Sequence, residues 1–360
     1  MLLRVLGSSA GGGFPQWNCN CPNCAGLRAG SLRARARTQS SVAVTADGQD
    51  WLLVNASPDL LTQIQQTPTL QPARSLRDSG IAAALLMDAQ IDHVTGLLML
   101  RERKTPLPLL ATPEVLSDIG AGFPITQILS HYCGVAAQAI VCDGRSFAAP
   151  GLPGIALQAV TLSSKPPPYS PFRGAPRPGD NIGLMVTNPA TGARLFYAPG
   201  LAEVTPDLLA LMARCSVVLV DGTFWTNDEM QRLGLSNKAA LDMGHLPQSG
   251  AGGMLDQLAR LPRSVRKVLI HINNTNPILN EDSPERAELA AQGVELAFES
   301  YLHGTPGKRN IETNDQGKVV SGDDNWVVDQ ATGEVQAPDP GDNVILTLDI
   351  KLQEAVERAL

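Results

Sequence analysis

Nowhere in this chain does an apolar run approach the ~20 residues that a membrane span needs, so no transmembrane segment is expected. An excess of cationic residues is also missing. The formal net charge is −7, which argues against nucleic acid or an anionic membrane as the main partner. No secretory leader is expected: Met1-Leu-Leu-Arg-Val-Leu-Gly7 turns glycine-rich too early for an apolar signal core. These absences describe a soluble, cytoplasmic protein. Cysteines number six and are not spread as a disulfide framework. Three of them, Cys19, Cys21 and Cys24, share one short loop. In a reducing compartment such a cluster favours metal over disulfides.

What is present is enough apolar sequence for a sizeable core: 43% of 360 residues, fitting two domains or one large α/β domain with an appendage. Strands are expected at residues 2–6, 41–45, 51–55 and 81–87, and near 107–111. More follow near 155–162, 182–187, 195–198, 217–221, 267–271 and 294–298. Asp47-Gly48 reads as a hairpin turn. Helices are expected from Ser57-Pro58-Asp59 to about Gln66, over 94–100, from Pro113, and over 206–214, 248–261 and 283–292. Hairpin-like strand pairs with strand–helix alternation between them suit an α/β fold, an αββα sandwich of two mixed β-sheets with helices outside. The run Lys165-Pro-Pro-Pro-Tyr-Ser-Pro171 cannot lie inside a sheet. It reads as a stiff exposed linker, or else as a lid over a site.

The residues that carry chemistry gather at strand ends. Asp88-Ala-Gln90-Ile-Asp92-His93 follows the strand at 81–87, where it is either a metal-binding loop or a solvated turn with Asp92 as a helix N-cap. Asp221 ends a continuous apolar strand, and a buried carboxylate there must be paired, hydrogen-bonded or metal-bound. His271 ends another strand and is followed by Asn273, Asn274 and Asn276. His245 sits in a loop without apolar periodicity. His131 lies on an expected helix and reads as structural. The thiolates of Cys19, Cys21 and Cys24 are soft ligands that suit a structural Zn²⁺, with a distant histidine or carboxylate as the fourth donor.

Taken together, these motifs resemble the metallo-β-lactamase superfamily and, within it, the PqqB family of coenzyme PQQ synthesis. The similarity runs through Gly7-Ser-Ser-Ala-Gly-Gly-Gly-Phe-Pro-Gln-Trp-Asn-Cys19-Asn-Cys-Pro-Asn-Cys24, Asn55-Ala-Ser-Pro-Asp59, Gln90-Ile-Asp-His93, Val220-Asp-Gly-Thr-Phe-Trp225, Met243-Gly-His-Leu-Pro247 and His271-Ile-Asn-Asn-Thr-Asn-Pro277. It implies a metallo-β-lactamase-like domain over residues 1–298, a cysteine-bound zinc, and a role in making pyrroloquinoline quinone (PQQ) from a peptide-derived Glu–Tyr precursor. Implied partners are that precursor or another small molecule, other proteins of PQQ biosynthesis and a second copy of the chain.

The superfamily's H-x-H-x-D-H loop reads Asp88-Ala-Gln90-Ile-Asp92-His93 here, so both leading histidines are gone. That disfavours a two-zinc hydrolytic site. Two histidines and a carboxylate with open positions is instead the arrangement of non-haem Fe(II) oxygenases. Asp92, His93 and His271 are then the expected ligands of Fe²⁺ or Zn²⁺. Asp221 is a further ligand or orients one, and His245 is a ligand or an acid–base group. The expected activity is metal-dependent oxidation or hydroxylation of a tyrosine-derived ring. The alternatives are a non-catalytic carrier, or transporter, of PQQ or its precursor, and a metal-dependent hydrolase.

The remaining stretch departs from this pattern. Residues 313–342 are polar and short of core residues. Gly341-Asp-Asn-Val-Ile-Leu-Thr-Leu-Asp-Ile-Lys-Leu-Gln-Glu-Ala resembles a segment of class B penicillin-binding proteins ahead of their transpeptidase domain, without a Ser-x-x-Lys nucleophile. Residues 299–360 are therefore expected to be an appended, partly disordered segment of separate origin, and His303 is excluded from the site.

Overall fold

In the computed structural model, the described residues are 1–296 and the backbone of 309–313 and 319–326. Twelve strands make two sheets. The first sheet runs β1 (Leu2–Gly7), β2 (Ser41–Thr45), β3 (Trp51–Val54), β4 (Ile81–Leu85), β5 (Leu107–Ala111) and β6 (Val135–Ala139), in that order. The second contains β7 (Ala156–Thr161), β8 (Ile182–Thr187), β9 (Arg194–Ala198), β10 (Val217–Asp221), β11 (Arg266–Ile270) and β12 (Val294–Leu296), again in chain order. Each sheet opens with two antiparallel pairings and continues with three parallel ones. The two halves of the chain thus repeat one topology.

The parallel strands are apolar on both faces, as burial on both sides requires. On β3, Trp51 and Leu53 pack with Ala84, Leu107 and Leu109, while the alternate residues Leu52 and Val54 are equally buried. Ser40 and Tyr197, from opposite halves, meet through their hydroxyls at 3.3 Å. The expected αββα sandwich of mixed sheets is the observed architecture.

Several expectations shift. Strand β6 follows no strong apolar run and was not anticipated; it pairs along the edge of β5. The helix expected from Ser57 begins only at Leu60. Ser57 is fully buried and caps nothing; the Asp59 carboxylate instead accepts from the Gln39 backbone at 2.8 Å. The helix expected over 248–261 is confined to Met254–Ala259, because Gly250 and Gly252 adopt positive φ ahead of it. His131 falls in an exposed turn after the helix Ile125–Leu129. No helix among the described residues is long and apolar enough to cross a membrane.

A separate antiparallel hairpin joins β13 (Arg309–Thr313) and β14 (Val319–Trp326). The rest of the appended segment, including the penicillin-binding-protein-like stretch from Gly341 and His303, lies outside the described residues.

Candidate functional site

Asp92 and His93 are held by a backbone cradle. Asn55, just past β3, takes the left-handed conformation (φ 59°), and its side-chain oxygen accepts from the Met87 amide at 3.0 Å. The Ala56 amide donates to the His93 carbonyl at 2.6 Å, and the Gly96 amide donates to Ala56 at 2.9 Å. A Cβ at position 96 would lie 2.2 Å from the Ser57 carbonyl, so only glycine allows this approach. The segment expected as one helix over 94–100 is therefore a single turn, Ile91–Val94, followed by a 3₁₀ stretch, Thr95–Leu100. Gln90, not Asp92, occupies the N-cap position, leaving the Asp92 carboxylate for other work.

The His93 ring is fixed by Asp88. Its Nδ1 lies 2.8 and 2.9 Å from the two Asp88 oxygens, and Asp88 Oδ1 also accepts from the Gln90 amide at 2.9 Å. This leaves His93 Nε2 buried with no hydrogen-bond partner. His271 is arranged in the same way. It takes φ 62°, strained for a residue with a Cβ, and its Nδ1 lies 3.0 Å from the Thr223 hydroxyl. That hydroxyl has one proton and directs it at Asp221 Oδ1, 2.6 Å away, so the imidazole must donate from Nδ1. His271 Nε2 is again buried without a hydrogen bond. Asp92 Oδ2 stands 3.7 Å from His93 Nε2 and 3.4 Å from His271 Nε2.

Two nitrogens without a hydrogen-bond partner and a carboxylate oxygen lie within 4.8 Å of one another, a donor set that fits a divalent cation when the imidazoles are neutral. The carboxylates and imidazoles of the cluster also act on one another. Burial alone would raise the Asp92 carboxyl, but His93 and His271 hold it well below the usual carboxylate range. Burial would lower His93, yet Asp88 and Asp92 push it up to about 9.

Asp221 ends β10 fully buried. Its Oδ2 accepts from the Leu201 amide at 2.8 Å and from His245 Nδ1 at 2.6 Å. Its Oδ1 accepts from the Thr223 amide at 2.9 Å as well as from the Thr223 hydroxyl. Burial works to lower His245, and Asp221 outweighs it and raises the imidazole above its ordinary value. The His245 and His271 rings stack at 5.4 Å. Asp221, His245 and His271 form a second group within metal-binding distance, sharing His271 with the first. Both groups open on one cavity of about 290 Å³, whose wall includes Ser164, Pro168 and Arg173. The proline-rich stretch expected as a linker is thus part of the site.

The three cysteines also converge, with sulfurs within 4.8 Å of one another. Cys24 is fully buried. Burial pushes the Cys21 thiol up to about 12. Burial also raises Cys19, but the hydrogen bonds from Cys21, Cys24 and Asn274 outweigh it and lower that thiol. The side chain over the trio is Asn274, where a histidine or carboxylate was expected. Its amide nitrogen lies 3.0, 3.3 and 3.6 Å from the sulfurs of Cys19, Cys24 and Cys21. Asn274 is three residues beyond His271, so the segment leaving β11 touches both clusters.

All eight residues singled out from the sequence lie in these clusters. Asp88, Thr223, Asn274 and Arg173 were not singled out as site residues. Asp88 was visible as a strand-end carboxylate in the place of a superfamily histidine. Asn274 is one of the asparagines after His271 expected to hold the imidazoles, and it bonds the cysteine sulfurs instead; Thr223 and Arg173 gave no spacing signal.

The comparisons agree with this geometry. A family model described as a β-lactamase superfamily domain matches residues 50–272. Coenzyme PQQ synthesis protein B of Cupriavidus necator is 62% identical over 297 residues, which is 82% of this chain and 97% of that protein. The protein of the same name from Azoarcus sp. (strain BH72) is 61% identical over 302 residues, 84% of this chain and 99% of that protein. Among solved structures, Zn²⁺-bound PqqB from Methylobacterium extorquens superposes with a TM-score of 0.75 at 40% identity, covering 82% of this chain and 97% of that one. A diphosphatase of the PhnP family, at 16% identity and a TM-score of 0.56 over 82% of this chain and 94% of its own, shares the fold. With its sandwich, its cysteine loop and its strand-end histidines, the chain belongs to the PqqB family of coenzyme PQQ synthesis proteins within the β-lactamase superfamily.

Proposed function

We propose that residues 1–298 form a PqqB domain acting in PQQ biosynthesis, and that its strand-end cluster binds one Fe²⁺ or Zn²⁺ through Asp92, His93 and His271. The observation that carries this reading is the pair of buried Nε2 atoms on His93 and His271, without hydrogen-bond partners and facing one Asp92 oxygen. A bound Fe²⁺ with open positions would activate dioxygen, the oxidant needed together with two electrons from an external reductant to hydroxylate the tyrosine-derived ring of a Glu–Tyr precursor, a chemistry that Zn²⁺ would not supply. The protein's own residues do the rest. Asp88 and Thr223 hold the two imidazoles as Nδ1 donors, which leaves their Nε2 lone pairs for the metal. Asp221, with its lone pairs occupied, orients His245. His245 faces the cavity, where it donates a proton or hydrogen bond to substrate oxygen.

The cysteine trio is the structural zinc site in this reading. Asn274 is its fourth donor once its amide is turned oxygen-inward. Support comes from the zinc of the M. extorquens relative and from the burial of all three sulfurs.

The test is metal analysis of purified protein beside Cys21→Ala and His93→Ala. Two independent sites predict that Cys21→Ala loses one zinc and keeps Fe²⁺ uptake, while His93→Ala does the reverse. If His93→Ala leaves the metal content unchanged, the strand-end cluster is not a metal site, and the protein acts as a carrier of PQQ or its precursor.

A further inference from the structure

Residues 163–181 form a strap along the cavity, anchored at intervals. The Leu162 amide donates to Asn181 at 3.0 Å, and the Tyr169 hydroxyl donates to the Ala89 carbonyl beside Asp88. The Ser170 hydroxyl donates to Asp118 at 2.9 Å, and the Thr112 hydroxyl to the Gly179 carbonyl at 2.7 Å. Arg177 pairs with Asp180 at 2.7 Å and lies 3.7 Å over the Phe172 ring. A strap tied in this way presents its side chains at set places.

One of them is Arg173. It is the single lysine or arginine among the residues lining the cavity. Where Arg177 is neutralised by Asp180, Arg173 forms no ion pair among the described residues; one guanidinium nitrogen donates to the Pro166 carbonyl within the strap. Asp88 and Asp92 line the same cavity. The cavity therefore combines a metal-type cluster with a single permanent cation. A neutral aromatic guest would leave that cation unmatched, whereas a carboxylate would meet its planar fork.

We infer that Arg173 is the specificity-determining residue of this cavity, binding a carboxylate of the substrate while the group to be transformed lies over Asp92, His93 and His271. This inference rests on the proposed function, and it adds the group that recognises the substrate's carboxylate. A guanidinium–carboxylate pair of this kind is worth about 10–100-fold in affinity.

The experiment measures equilibrium binding of PQQ, a tricarboxylic acid, and of its trimethyl ester to zinc-loaded full-length protein. Wild type is compared with Arg173→Gln, Arg173→Lys and Arg177→Gln. Wild type should prefer PQQ over the ester. Arg173→Gln should weaken PQQ about 10–100-fold, leave the ester and the metal content unchanged, and be partly rescued by Arg173→Lys. Arg177→Gln, which loosens the strap without touching the cavity, should keep the preference for acid over ester. Absence of PQQ binding by wild type, equal binding of acid and ester, or equal PQQ binding by Arg173→Gln would overturn the inference. Loss of both ligands together with metal in Arg173→Gln would overturn it too, by showing a merely structural role. Failure of the proposed metal site itself registers separately, in the metal content of His93→Ala.

Discussion

The fourth strand of each half ends near an aspartate that holds a histidine by Nδ1, and the two pairs are put to different use. In the first half Asp88 grips His93 at 2.8 Å. In the second Asp221 grips His245 at 2.6 Å. His93 is sealed in, its Nε2 aimed at Asp92 and the free nitrogen of His271. His245 keeps about a sixth of its side chain exposed (17%) on the cavity side. In the proposed function the same pairing serves a metal donor where the second nitrogen is buried, and a proton carrier where the ring is partly exposed. The aspartates differ as well. Asp88 serves His93 and one amide, whereas Asp221 also satisfies two backbone amides and a hydroxyl. Asp221 is therefore the more deeply built into the fold.

The largest expected contrast is in stability. Asp221→Ala strands buried donors and should cost about 3–5 kcal/mol, lowering Tm by roughly 10 °C. Asp88→Ala should cost about 1–2 kcal/mol. Thermal unfolding of the metal-free variants decides this, and equal losses would break the asymmetry. Next is metal affinity, read by competition against a chelator. His93→Ala should abolish binding at the strand-end cluster and Asp88→Asn weaken it about 10–100-fold, whereas His245→Ala should weaken it less than about tenfold. A larger effect for His245→Ala would make His245 a ligand and remove the distinction between the pairs.

The smallest effect sharpens the comparison by showing a buried carboxylate with no imidazole. Glu229 accepts from the Trp225 amide at 2.7 Å and from the Thr275 hydroxyl, yet burial dominates and raises its pKa above 4.5. The folded chain then holds a proton there that the unfolded chain releases. Its contribution is most favourable below pH 4.5 and is lost as pH rises through the raised folded value. Glu229→Gln should lack this decline, seen as a Tm difference from wild type that changes with pH across that window. A constant difference would refute the assignment.

Much of the fold was legible because parallel strands buried on both faces must be apolar throughout, and runs such as Val217–Val220 and Val268–Ile270 have no other reading. The edge strand Val135–Ala139, half exposed, gave no such signal. At the site, Asp92, His93, Asp221 and His271 were legible as polar groups ending apolar strands, and the cysteine trio by its density. Thr223, Asn274 and Arg173 were not, because each acts through a partner far along the chain. Asn274 reaches Cys19 across 255 positions, and no local pattern marks an asparagine that will do so.

The sequence by itself determined the two mixed sheets and the chemical types available: thiolates in one loop, imidazoles and carboxylates at strand ends. Short-range physics suffices for that, since strand periodicity and turn chemistry are local. Tertiary structure alone decided which nitrogen of each histidine is occupied and which is free. It also set Asn274 over the sulfurs and brought Arg173 to the cavity wall. Those outcomes depend on directional contacts a few ångströms long between segments that only the packing of the two halves brings together.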